Sequence, residues 1–63
     1  MFSKRLREIR KQKGFTQKEL SEKSGLAIVN ISFYERERIT PNLFSLECLC
    51  GALEVTATEL LGF

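Results

Sequence analysis

Ten lysine and arginine side chains, with no histidine, set the chemistry open to this 63-residue chain. All ten lie within residues 1–38, where five glutamates leave a balance of +5. Residues 39–63 carry three glutamates and no base, a balance of −3. The total of +2 hides one basic and one acidic half, the layout of a protein that sets one face on a polyanion. A solvated lysine-rich helix is the plainer account of the same charges. Without histidine, the commonest general base and neutral metal ligand are missing. Cys48 and Cys50 stand two apart on a predicted helix, about 200° around it, and cannot bridge each other. With no third cysteine, no metal site is expected; Cys50 reads as a small core residue and Cys48 as a partly exposed free thiol in a reducing compartment. No nucleophile–base pair, carboxylate cleft or phosphate loop is visible, so neither enzymatic activity nor a cofactor is expected.

The elements that position these charges are legible from caps and periodicity. Phe2, Leu6, Ile9 and Lys13 recur at helical spacing until Gly14, predicting a helix from about Ser3 to Lys13. Thr16-Gln17-Lys18-Glu19 is a capping box, and Ser24-Gly25 a stop signal, bracketing a second helix that buries Leu20, with Leu26 in the turn. Apolar periodicity resumes at Ile28 and runs to about Arg36. Two helices joined by so short a turn must cross steeply, which is the helix-turn-helix geometry that offers its second helix to a major groove. On the helical wheel Ile31, Tyr34 and Glu35 fall on one side, and Ile28, Val29, Ser32, Phe33 and Arg36 on another. Pro41 closes a loop and Asn42 caps a fourth helix, Leu43 to Leu53, with Leu46, Leu49, Cys50 and Leu53 inward. A second capping box, Thr56-Ala57-Thr58-Glu59, opens a short last helix carrying Leu60 and Leu61. The expectation is one all-α domain of five short helices. At this length burial barely offsets ordering entropy, so an efficient core or a partner is needed. No run approaches the roughly 18 apolar residues of a membrane span, and MFSKRLREIRK has no apolar signal region, so an intracellular soluble protein is expected.

Together these residues resemble the Cro and phage-repressor class of helix-turn-helix regulators, also called xenobiotic-response-element-type. The resemblance covers about Leu6 to Leu61: L-x-x-I-R at 6–10, G-F-T-Q-x-E-L at 14–20, SGL at 24–26, I-S-x-Y-E at 31–35, Pro41, and A-L-x-V-x-x-x-E-L-L at 52–61. It implies a lambda-repressor-like fold and a cytoplasmic, prokaryotic or phage-encoded transcriptional regulator, expected to be a repressor. Such a protein binds double-stranded DNA, with the third helix in the major groove and two copies reading a near-palindromic operator. Gln17 matches the family's phosphate-contacting glutamine, at a helix start where N–H groups and dipole favour an anion. Lys18, Arg36, Arg38 and Thr40 are further phosphate candidates. Arg10 and Glu35 match a pair that bridges the first and third helices; both lie beside the buried stripes, which makes that pair structural. Asn30 and Ser32 are the polar candidates for base contacts, and Leu61 and Phe63, read as exposed, for dimer contacts.

The departures carry information too. Alanine occupies position 27, where the family places a Ser or Thr cap, and Ile28, Val29 and Phe33 take outward positions usually polar. Such groups can read a thymine methyl but cannot make the bidentate bonds that identify guanine or adenine. Their alternative use is as the apolar stripe of a protein–protein interaction module on the same fold. Glu37 and Glu54 replace glycines, so each either holds a positive φ at a cost on the order of 1 kcal/mol or re-forms its loop.

Overall fold

The computed structural model describes residues 2–62; Phe63 lies outside them. Five helices follow in order: α1 (Phe2–Gln12), α2 (Gln17–Ser24), α3 (Ile28–Glu35), α4 (Leu43–Leu53) and α5 (Ala57–Leu61). Every predicted helix forms, within one or two residues of its expected ends. At the start of α2, Thr16 Oγ1 accepts from the Glu19 backbone N–H (3.1 Å) while Glu19 Oε1 accepts from the Thr16 N–H (2.9 Å). Thr56 and Glu59 repeat this reciprocal pair at α5, and Asn42 Oδ1 accepts from Ser45 N–H (2.8 Å) at α4. Each cap occupies amides that the first helical turn cannot satisfy internally.

The helix ends explain the two missing glycines. After α3, Glu37 takes φ 59°, and the Arg38 N–H reaches back to the Phe33 carbonyl (2.9 Å). After α4, Glu54 takes φ 58° and the Val55 N–H bonds the Cys50 carbonyl (3.1 Å). Both helix ends take the left-handed stop that glycine favours, with glutamate bearing the strain that glycine avoids.

Leu6, Ile9, Leu20, Ile31, Tyr34, Leu49, Leu53 and Leu60 form one buried cluster, against which Phe15, Leu26, Leu46, Cys50 and Val55 pack. α3 sits on α1 and α2, while α5 closes the far side on α1 and α4. Arg5 holds α5 in place: its Nε and Nη2 donate to the Glu59 carbonyl at 3.2 and 2.6 Å, and its side chain lies against Gly62. Leu61, read from the sequence as exposed, is therefore half-buried, because α5 docks on two helices rather than one. Cys48 and Cys50 are both half-buried free thiols; burial, and secondarily the Glu47 charge, pushes the Cys50 thiol up from its ordinary pKa. Among the described residues no helix is long and apolar enough to cross a membrane.

Candidate nucleic-acid interface

The turn between α2 and α3 is fastened from both sides. Gly25 takes φ 76°, and its N–H bonds the Ser21 carbonyl (2.9 Å). The Ser21 hydroxyl donates to the Leu26 carbonyl (2.5 Å), and the Ser24 Oγ accepts from the Leu26 N–H (3.2 Å). These bonds tie the end of α2 to the residue that leads into α3 and so hold the turn between them. Sequence reasoning missed both serine contacts, since a serine near a helix end reads as merely polar.

The roll of α3 about its axis is set by three buried side chains, Ile31, Tyr34 and Glu35. Glu35 is the anomaly, a carboxylate only 3% exposed. Arg10 compensates it with a two-point contact, Nε to Oε2 at 2.6 Å and Nη2 to Oε1 at 3.1 Å, and spends Nη1 on the Phe15 carbonyl (2.8 Å). A planar guanidinium fork suits this task, since it satisfies both carboxylate oxygens at once. Gln17 joins the network: its Nε2 donates to Glu35 Oε1 (3.1 Å), so the first residue of α2 is tied to the last of α3. The predicted Arg10–Glu35 pair thus forms, buried, and gains a partner the sequence did not signal.

With that side buried, α3 turns Ile28 and Val29 outward, 47% and 50% exposed. Asn30, Ser32 and Phe33 are half-buried on the flanks. Phe33 does not join the core cluster; the Arg36 guanidinium lies over its ring at 5.5 Å and covers part of it. Phe33 is thus a partly shielded ring where the wheel places an outward one. Ala27 makes no side-chain cap, leaving the first-turn amides of α3 without that partner. Lys18, Arg36, Arg38 and Thr40 are exposed, Lys18 on α2 and the other three beyond α3. The exposed surface of the motif thus combines the apolar Ile28 and Val29 with the cationic Lys18, Arg36 and Arg38.

Two helices joined by a glycine-stopped turn, the second fixed in roll and bare on its outer face, form a helix-turn-helix unit. A profile described as helix-turn-helix matches residues 6–60, and the chain belongs to that family, in its Cro and phage-repressor class. It is 36% identical over 58 residues to an immunity repressor protein of Bacillus phage phi105, covering 92% of this chain and 40% of that one. It is 41% identical over 59 residues to the transcriptional regulator ImmR of Bacillus subtilis, covering 94% and 46%. The chain spans less than half the length of both regulators. Among solved structures, the restriction-modification controller protein C.AhdI of Aeromonas hydrophila superimposes with a TM-score of 0.91 at 36% identity, over 94% of this chain and 89% of that one.

Proposed function

We propose that this chain is a DNA-reading domain of a transcriptional regulator, acting as a repressor in the cytoplasm of a bacterium or its phage. The observation that carries the reading is the outer face of α3, held free of the core by the buried Arg10–Glu35 contact, in a motif that also exposes Lys18, Arg36 and Arg38. α3 enters the major groove. Ile28 and Val29 pack on thymine methyls, Asn30 and Ser32 hydrogen-bond base edges, and Phe33 lies along the groove wall. Gln17, Lys18, Arg36, Arg38 and Thr40 contact phosphates, Gln17 with the amide hydrogen that Glu35 does not take. One domain covers only a few base pairs, so affinity comes from two copies related by a two-fold axis on a near-palindrome.

A gel-shift titration against random-sequence duplex over a salt series tests this. The logarithm of affinity should fall linearly with the logarithm of salt, with a slope reflecting about three to five neutralised phosphates per monomer. A salt-independent or absent shift removes the reading. The exposed Ile28 and Val29 favour a second use of the same face, as an apolar docking stripe for protein. That use predicts complex formation without DNA and without a salt slope.

A further inference from the structure

The cap and first two residues of α3, Ala27, Ile28 and Val29, are exposed in succession, and none carries a side-chain hydrogen-bond donor or acceptor. In a helix-turn-helix the N-terminal residues of the second helix are the ones that meet base edges. Ile28–Glu35 holds no lysine, arginine or glutamine, and its single charge, Glu35, is buried against Arg10. The next guanidinium, Arg36, lies beyond the far end of the helix. Its Nε donates to the Ser32 carbonyl (3.4 Å) and its guanidinium covers the Phe33 ring (5.5 Å). Asn30 and Ser32 are the hydrogen-bonding side chains left for the bases, and both are half-buried. The three leading residues have nothing with which to recognise guanine or adenine by paired hydrogen bonds.

What an aliphatic side chain recognises in the major groove is a methyl group. We infer that Ile28 and Val29 read the pyrimidine C5-methyl as such, so that 5-methylcytosine serves opposite them as thymine does; the inference rests on the groove reading above. Both pyrimidines carry that methyl at the same place on the groove edge. They differ at C4, where thymine has an acceptor oxygen and cytosine a donor amino group. Telling those two apart takes a hydrogen bond, which neither Ile28 nor Val29 makes. Both side chains are β-branched and hold one χ1 rotamer in a helix, so the apolar surface they present is fixed before DNA arrives. Withdrawing one methyl from water corresponds to roughly fourfold in affinity. Methylation of a cytosine that faces Ile28 or Val29 therefore tightens binding, and no residue dedicated to the modification is needed.

Gel-shift titrations on the sequence chosen by selection over randomised duplexes test this. At each pyrimidine position in turn, otherwise identical duplexes carry thymine, uracil, cytosine or 5-methylcytosine, each with its pairing purine. Exchanging thymine for uracil removes a methyl and nothing else. At the positions facing Ile28 and Val29, thymine should outbind uracil by roughly fourfold, and 5-methylcytosine should outbind cytosine by the same factor. Ile28→Ala and Val29→Ala should between them abolish these differences, each with a cooperative melt and the salt slope of the wild type. A preferred sequence with no thymine–uracil difference at any position overturns the inference and spares the groove reading. So does a thymine–uracil difference with none between 5-methylcytosine and cytosine at the same position, or one that survives both alanine variants. Salt-dependent binding with no preferred sequence overturns the inference and base reading together, and spares only the phosphate contacts. No shift on any duplex overturns the inference and the groove reading alike.

Discussion

Arg10 and Glu35 lie 25 residues apart in sequence and meet side-on, with Nε 2.6 Å from Oε2, fastening α1 to the end of α3. The contact sets which face of α3 is buried, and so which residues are left for a partner. Its cost is asymmetric: the pair together is tolerable, but either member alone is a stranded buried charge. Arg10→Ala should destabilise the fold by about 3–5 kcal/mol, whereas exposed Arg7→Ala should change it by no more than about 0.5 kcal/mol. Thermal melts of the two variants decide it; equal melting temperatures would show the contact contributes nothing.

Phe33 separates the uses of α3. The ring is half-buried, outside the core, and loses chiefly the Arg36 contact on replacement, about 0.5–1 kcal/mol. Phe33→Gln should therefore melt within a few degrees of the wild type while shifting base preference by roughly 1–3 kcal/mol at one or two positions. Selection over randomised duplexes reads the preference. A core role for the ring would instead show as a loss of about 3–5 kcal/mol on truncation to alanine.

Glu37 and Glu54 occupy positions that want glycine. Relief of left-handed strain, roughly 1–2 kcal/mol, is partly offset by glycine's greater freedom in the unfolded chain, roughly 0.5–1 kcal/mol. Glu37→Gly and Glu54→Gly should each stabilise the domain by up to about 1 kcal/mol, and additively, since they end different helices. Urea unfolding of the single and double variants measures this. Destabilisation by either would mean that the glutamate side chain makes a compensating contact.

Glu59 gives the fold an acid sensitivity. The Thr56 backbone N–H, and next the Thr56 hydroxyl, hold its carboxyl below the ordinary value of 4.5. A carboxyl depressed in the folded state stabilises above its unfolded pKa, and that stability is lost as pH falls through the folded value. Glu59→Gln should therefore melt below the wild type at neutral pH, with the gap closing as the solution is acidified below the ordinary carboxylate range. A gap independent of pH would show that the charge of Glu59 is not what matters.

The helices and their ends were readable in the chain because each is decided locally. The capping boxes at Thr16 and Thr56, the stop at Gly25 and the cap at Asn42 depend on residues within four positions of one another, and all form as expected. The wheel of α3 likewise separated Ile31, Tyr34 and Glu35 from Ile28 and Val29, because a 3.6-residue period leaves a hydrophobic stripe only one way to face. Tertiary structure alone decided what depends on distant partners. The loops at Glu37 and Glu54 could have re-formed; in the folded chain both keep a positive φ, closed by backbone bonds to the Phe33 and Cys50 carbonyls. Gln17 acquired a bond to Glu35 because the turn brings the two ends of the motif together, and Leu61 lost its exposure because α5 docks on α1 as well as α4. Phe44, on a helix whose inward residues were foreseen, emerged as an exposed ring only once its neighbours were in place. Periodicity marks the face a helix buries, but which apolar side chains off that face stay exposed is decided by the assembled surface.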